Sequence, residues 1–152
     1  MRVFLDYCML NDAMRDASVL AKLRFMRKSG VELVTATSVI GEAVEVLADG
    51  PKEGHYVLMD LLHDLHLHYV HPRKDWLKDM ARIDSFLDGK NATFVSASER
   101  THMALAMSAA ADMYITSRAE ARNLSMLVGL KEILNVVDID DAVAKVKAAG
   151  GA

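Results

Sequence analysis

Residues 1–10 read MRVFLDYCML, and the acid inside this apolar stretch raises the central question about the chain. The segment Arg2–Leu5 predicts a short buried strand, yet Asp6 follows at once and apolar residues then resume. An unpaired carboxylate in a protein core is costly, so it normally finds a partner or shifts its pKa. Asp6 is therefore either exposed at the end of a strand or part of a site.

Short apolar strands alternate with helical segments along the rest of the sequence. Strands are predicted over residues 2–5, 31–36, 67–70, 113–116 and 135–139, and helices over residues 11–28, 38–48, 52–66, 73–87, 98–111 and 138–148. This alternation is typical of parallel strands joined by helical crossovers, with helices on both faces of the sheet. Ligands of open parallel sheets bind outside the carboxyl ends of the strands, where Asp6 is expected to lie.

Length and composition restrict the class of protein. The 152 residues predict a single domain over residues 1–148 and a flexible tail over residues 149–152. A net charge of −3 argues against a strongly basic protein that coats nucleic acid, although a local basic patch remains compatible with it. Cys8 is the only cysteine, which predicts a reducing, cytoplasmic environment. We expect no signal peptide and no membrane span, because no stretch approaches about 20 apolar residues.

Two further acids are expected at the same edge of the sheet as Asp6. Glu42 is predicted in the first turn of the helix after the second strand, and Glu99 in the first turn of a later helix. Taken singly, each is more typical of a structural helix-dipole acid. Ser96 and Glu99 even have the spacing of a capping box, whereas Ser38 lies four residues before Glu42. Together with Asp6, however, the three acids predict a site.

Clustered carboxylates favour one kind of chemistry. They repel one another unless a cation or a proton intervenes. Mg²⁺ prefers oxygen ligands and usually retains several waters, which leaves positions for phosphate oxygens. A metal held in this way activates water and stabilises charge on a phosphoryl group. The implied class is a metal-dependent phosphodiesterase or nuclease.

Three segments of the sequence resemble the PIN-domain ribonucleases, in the right order and over nearly the whole chain. VFLDYCML is similar to the first strand and first acid of the family, and TATSVIGEAVEVL to its strand-then-helix segment. The most specific stretch, ERTHMALAMSAAADMYITS, resembles a pattern of acid-x-x-His-x-Ala-x-Ala followed by Ala-Asp, an apolar strand and Thr. The matching residues are Glu99, His102, Ala104, Ala106, Ala111, Asp112 and Thr116.

The resemblance implies a three-layer α/β/α sandwich with a parallel sheet of about five strands. It also implies a metal-dependent endoribonuclease that cuts single-stranded RNA, in which Mg²⁺ or Mn²⁺ is held by Asp6, Glu42 and Glu99. Thr116 and Ser117 would assist by hydrogen bonding. Many relatives are toxins paired with an antitoxin protein, others act in RNA processing, and homodimers are common, so an antitoxin partner and a homodimer are expected here.

The sequence departs from the family pattern in two places. Glu99 stands where the family usually has the shorter Asp. A fourth acid often follows the strand-end Thr, but here Ser117 and Arg118 occupy that place, and a cation there would oppose metal binding. Glu120 follows them closely enough to approach the site. The departure motivates an alternative: a catalytically inactive PIN-like domain that binds RNA or another protein.

A receiver-like domain is a third, weaker interpretation. Such a domain needs a Lys at a late strand end, and the segment YITSR offers none.

Overall fold

The structure is a computed structural model in which residues 1–150 are described. Five parallel strands form one sheet in the order β3-β2-β1-β4-β5. Their bounds are β1 Arg2–Leu5, β2 Glu32–Ala36, β3 His68–Val70, β4 Met113–Ile115 and β5 Val136–Val137. The predicted α/β class and its parallel sheet of about five strands are confirmed.

Helices connect the strands and cover the sheet. Their bounds are α1 Tyr7–Arg15, α2 Ala17–Lys28, α3 Thr37–Ala48, α4 Glu53–Asp64, α5 Trp76–Gly89, α6 Ala97–Ser108, α7 Arg118–Ser125 and α8 Ile139–Gly150, with a 3₁₀ turn at Leu130–Glu132. Helix α1 packs against α2, α3 and α4, and α2 packs against α8, whereas α5 and α6 pack against each other. Among the described residues, no helix is long and apolar enough to cross a membrane.

The core is densest around the central strand. Val3, Phe4 and Leu5 are fully buried, because β1 lies between two neighbouring strands and beneath helices. A strand buried on both faces is expected to be apolar throughout, as β1 is. The ring of Tyr114 in β4 stacks on that of Phe4, with 5.4 Å between ring centroids.

The first long helix is divided in two, which the sequence did not predict. Residues 11–28 were expected to form one helix capped by Asn11, but α1 begins at Tyr7 and α2 at Ala17. Asp6 caps α1 by accepting the Met9 N–H at 2.9 Å. Asp16 is extended and accepts the Ser18 N–H at 2.8 Å, which starts α2. Both aspartates satisfy backbone donors that a helix leaves free at its start.

Other helices also differ from expectation. Helix α5 begins at Trp76 rather than at residue 73, α6 ends at Ser108 rather than at residue 111, and α7 occupies a segment for which no helix was predicted. Helix α8 includes residues 149–150, the first half of the predicted tail, while residues 151–152 lie outside the described residues.

Strand pairing brings distant polar residues to one edge of the sheet. Leu5 pairs with Ile115, so Asp6 and Thr116, the next residues, emerge side by side. Buried Thr35 donates its hydroxyl hydrogen to the Leu5 carbonyl oxygen at 2.8 Å, which ties β2 to the end of β1. The path of the chain just before Asp6 is therefore held from both sides.

This contact predicts the effect of replacing Thr35. Thr35→Val keeps the shape of the side chain but removes its donor, so we expect a loss of about 1 kcal/mol in the free energy of unfolding. Urea denaturation followed by circular dichroism measures it. Thr101→Val is the matched control, because Thr101 donates to the Ala97 carbonyl oxygen at an exposed position. Equal losses in the two variants would contradict the assigned role of Thr35.

Candidate metal centre

Asp6 lies at the centre of the candidate site. Only 1% of its surface is exposed, and its two oxygens are both engaged. Oδ1 accepts the Met9 N–H, and Oδ2 lies 2.5 Å from the hydroxyl of Thr116. Burial, followed by the charge of Glu99, raises the pKa of Asp6 from 3.8 to about 8, and the charge of Glu120 adds to this rise. The carboxyl group therefore holds a proton near neutral pH in the absence of a cation.

Thr116 links Asp6 to a second acid. Its hydroxyl oxygen is fully buried and also lies 2.8 Å from Glu120 Oε2. A hydroxyl carries one hydrogen and can donate to only one of the two carboxyl groups. With Asp6 protonated, Asp6 donates to Thr116 and Thr116 donates to Glu120. Two hydrogens, one from Asp6 and one from Thr116, thus link the three side chains.

Glu120 enters the cluster from the first turn of α7. One carboxylate oxygen each of Asp6 and Glu120, together with the Cys8 sulfur, lie within 4.8 Å of one another. The Cys8 sulfur is 3.7 Å from Glu120 Oε1. Burial and the surrounding acids raise the pKa of the Cys8 thiol, so it stays protonated and donates to Glu120. Asp6 and Glu120 are therefore the hard oxygen donors of this group.

Glu99 is oriented by a buried tyrosine. The Tyr114 hydroxyl donates to Glu99 Oε1 at 2.7 Å. Burial raises the pKa of Tyr114 well above its usual value, so the phenol remains a donor. Burial also raises the pKa of Glu99, the hydrogen bond from Tyr114 lowers it, and the charges of Glu120 and Glu42 raise it. The predicted capping spacing forms as well, because the Glu99 N–H donates to Ser96 Oγ at 3.1 Å.

Glu42 acts on Glu99 rather than on Asp6. It sits in the second turn of α3 rather than in the first turn as predicted, because α3 begins at Thr37. Its Oε2 is 4.0 Å from Nδ1 of buried His102. Burial lowers the pKa of His102, which favours the neutral ring. Glu42 influences the cluster through its charge on Glu99.

Ser117 and Arg118 have different surroundings. Ser117 is the residue before α7 and makes no capping hydrogen bond through its side chain. Arg118 is 74% exposed, and its Nε is 3.9 Å from Asp138 Oδ2, at the β5 side of the sheet. The acid that reaches Thr116 is Glu120, rather than a residue at position 117 or 118.

Glu120, Tyr114 and Cys8 are not among the site residues predicted from the sequence, and one of them carries a sequence signal. Ser117 and Glu120 have the S-x-x-E spacing that marks a helix start. Placed directly after a strand, that signal predicts an acid at the site edge by the same reasoning used for Glu99. No comparable signal exists for Tyr114 or Cys8, whose contacts depend on the packing of distant elements.

The donor set fits a hard divalent cation. Three carboxyl groups, Asp6, Glu99 and Glu120, influence one another's charge, and they are bound to neutral hydroxyls rather than to lysine or arginine. Carboxylate oxygens are the ligands preferred by Mg²⁺ and Mn²⁺. A cation would offset the repulsion among acids that otherwise raises their pKa values.

Comparison with known proteins supports the fold. No protein-family model matches the sequence, and no curated protein matches it. A chain in the crystal structure of VapBC2 from Rickettsia felis, bound to a DNA fragment from their promoter, matches in structure with a TM-score of 0.74. The sequences are 13% identical, and the match covers 91% of this chain and 98% of that chain. The PIN-like fold implied by the sequence resemblance is thereby confirmed; at this identity the likeness concerns the fold alone.

The burial of the Asp6 carboxyl group predicts how the free energy of unfolding depends on pH. The folded-state pKa of about 8 lies above the ordinary value of 3.8, so the folded protein binds the proton more tightly than the unfolded chain. This contribution is complete below about pH 4 and is lost as the pH rises through 8. In metal-free buffer, Asp6→Asn keeps the cap and removes the charge. We expect its melting temperature to exceed that of the wild type by at least about 3 °C above pH 8, and the gap to narrow towards pH 5.

Thermal unfolding in EDTA across this pH range measures the effect. Asp16→Asn is the control, since Asp16 caps α2 in the same way but is exposed. A pH-independent difference between Asp6→Asn and the wild type would show that Asp6 does not titrate as a buried acid.

The Tyr114 hydrogen bond makes a separate prediction about Glu99. Tyr114→Phe preserves the stacking on Phe4 but removes the donor, so the pKa of Glu99 is expected to rise further. A carbon-13 carboxyl titration by NMR measures this directly. Tyr69→Phe, at an exposed tyrosine of β3, is expected to leave the Glu99 titration unchanged. An unchanged Glu99 titration in Tyr114→Phe would exclude Tyr114 as its orienting residue.

Proposed function

We propose that the protein is a divalent-metal-dependent endoribonuclease that hydrolyses phosphodiester bonds of single-stranded RNA. The observation that carries this proposal is the placement of acids at the carboxyl-end edge of the central strands: carboxylate oxygens of Asp6 and Glu120 lie within 4.8 Å of each other, and Glu99 and Glu120 line one pocket. In a PIN-like fold, this edge is where the resemblance places the metal site. The ion proposed is Mg²⁺ or Mn²⁺, because the donors are carboxylate oxygens.

Asp6, Glu99 and Glu120 would hold the ion, with Glu42 beside Glu99. The bound metal supplies Lewis-acid activation of water and stabilisation of charge on the phosphoryl group. The protein's contribution is orientation. The cap at Met9 and the hydroxyl of Thr116 hold Asp6, and Tyr114 holds Glu99. Carboxylates held in this way need little reorganisation when substrate binds.

Thr116 and Ser117 have different proposed roles. Thr116 is fully buried and bridges Asp6 and Glu120, so it acts by positioning acids. Ser117 is partly exposed at the start of α7 and has no capping bond, so its hydroxyl is available to a phosphate oxygen. Arg118 is directed towards Asp138, which weakens the argument for an inactive domain.

The proposed biological setting follows from the family resemblance and from the VapBC2 likeness. We propose a single-domain cytoplasmic toxin that forms a homodimer and is restrained by an antitoxin protein. The structural likeness to a chain of VapBC2 supports the toxin role.

Cleavage of RNA tests the proposal. An unstructured oligoribonucleotide is incubated with the protein and Mg²⁺ or Mn²⁺, and products are resolved by gel electrophoresis. Asp6→Asn and Glu120→Gln are expected to lower the rate on the order of 100-fold each, which is about 2.7 kcal/mol of transition-state stabilisation. EDTA is expected to abolish cleavage.

Glu45→Gln and Arg118→Ala serve as controls. Glu45 is an exposed acid of α3, and Arg118 is directed away towards Asp138, so both variants are expected to cleave within about twofold of the wild type. Calorimetry with Mn²⁺ distinguishes the enzyme from the catalytically inactive module. Binding that depends on Asp6 supports the enzyme, whereas absence of both binding and cleavage would favour the inactive module.

A further inference from the structure

A small pocket adjoins the proposed metal site and extends beyond its acids. Its volume is about 230 Å³, and its lining residues are Phe94, Val95, Ser96, Glu99, Glu120, Asn123 and Leu124. This is below the range of roughly 300–1,000 Å³ that drug-sized ligands occupy, so the pocket suits one flat ring system rather than a larger molecule.

Apolar, aromatic and amide side chains contribute to the lining of the pocket. Val95 and Leu124 are its buried apolar residues. Phe94 is 58% exposed, so its ring is accessible to a ligand. Asn123 is exposed and carries an amide with both donors and an acceptor. An aromatic ring and an amide thus line one pocket together with apolar side chains.

The loop that carries Phe94 is held firmly. Arg100, whose side chain is 14% exposed, donates to the carbonyl oxygens of Val95 and Ala92 and to the carboxylates of Asp84 and Asp88. The Ala92 N–H also donates to the Leu87 carbonyl oxygen at 2.9 Å. Exposed Phe94 is therefore presented on an ordered loop, which reduces the entropy lost when a ligand binds.

The pocket and the acid cluster share two residues. Glu99 and Glu120 line the pocket and also belong to the cluster. Asn123 follows Glu120 by three residues in α7, so the two side chains lie on the same helical face. A nucleotide whose phosphate lies at the acids can therefore place its neighbouring base in the pocket.

We propose that this pocket binds one unpaired nucleobase of single-stranded RNA, stacked on Phe94 and hydrogen-bonded to Asn123. The proposal rests on the proposed ribonuclease function and makes Phe94 and Asn123 its specificity-determining residues. Unpaired bases of RNA stack on aromatic side chains and expose polar edges, which are the two features the pocket recognises. A base within a continuous duplex is stacked on both sides and cannot enter.

Binding of a short RNA tests the subsite. Fluorescence anisotropy is measured with a labelled, unstructured hexaribonucleotide and Mg²⁺, using the full chain with Asp6→Asn to suppress cleavage. Adding Phe94→Ala is expected to raise Kd by roughly 5- to 100-fold, the range for loss of one stacked base. Phe94→Tyr retains an aromatic face and is expected to restore binding. Asn123→Ala is expected to weaken binding less and to reduce discrimination among bases.

Tyr56→Ala is the matched control. Tyr56 is an aromatic side chain with 67% exposure on α4, and it does not line the pocket. Its loss is expected to leave Kd unchanged. If Phe94→Ala binds RNA as tightly as Tyr56→Ala, the nucleobase subsite is overturned.

An abasic substitution identifies the contact. Each nucleotide of the hexamer is replaced in turn by an abasic residue. One replacement is expected to weaken binding to the parent protein but not to the Phe94→Ala variant. Equal losses in both proteins at every position would overturn stacking on Phe94.

Different results would contradict the nucleobase subsite and the proposed ribonuclease function. Cleavage that is independent of Phe94 at every base composition overturns the subsite and leaves the ribonuclease intact. Binding that depends on Phe94, in a protein that cleaves no RNA with either metal, overturns the ribonuclease and supports the subsite.

Discussion

The burial of one carboxyl group, that of Asp6, is the constraint on which the site depends. Asp6 follows the central strand, where water is nearly excluded, and its oxygens are bound by the Met9 amide and the Thr116 hydroxyl. Burial opposes ionisation, so in the absence of a cation Asp6 keeps its proton and donates it to Thr116, which donates its own hydroxyl hydrogen to Glu120. The start of α1 and the pairing of β1 with β4 both serve to hold this group in place.

The surrounding residues divide into those that repel Asp6 and those that orient the acids. Glu99 and Glu120 add to the effect of burial on its pKa by their charge, while Thr116 donates to Glu120 and Tyr114 donates to Glu99. No hydrogen bond from lysine or arginine reaches Asp6, Glu99 or Glu120 in the part of the chain that the structure describes. Net negative charge is therefore concentrated at one edge of the sheet. The Phe94 pocket lies directly beside this edge, where it provides an apolar surface for a base.

Much of the fold was predictable because its signals are local. The segment RVFL is apolar and short, and parallel strands of this kind must lie between helical crossovers. Asp6, Glu99 and Thr116 were placed correctly at strand or helix ends for the same reason. The division of the first helix at Asp16 was missed, because aspartate is tolerated within a helix unless the chain turns there. Glu42 was placed one turn too early, since its helix begins at Thr37 without a capping side chain.

By itself, the sequence determined the alternation of short strands with helices, the apolar character of the central strand, and an acid at its end. Only the tertiary structure decided which acids meet. Glu120 joins Asp6 because β4 pairs with β1 in a register that sets Thr116 beside Asp6, and Glu120 contacts Thr116 from α7 whereas Arg118 approaches Asp138. The contact between Tyr114 and Glu99 likewise joins two elements, β4 and α6. Helix direction and strand register are set by the packing of residues far apart in the chain, and short sequence motifs do not carry that information.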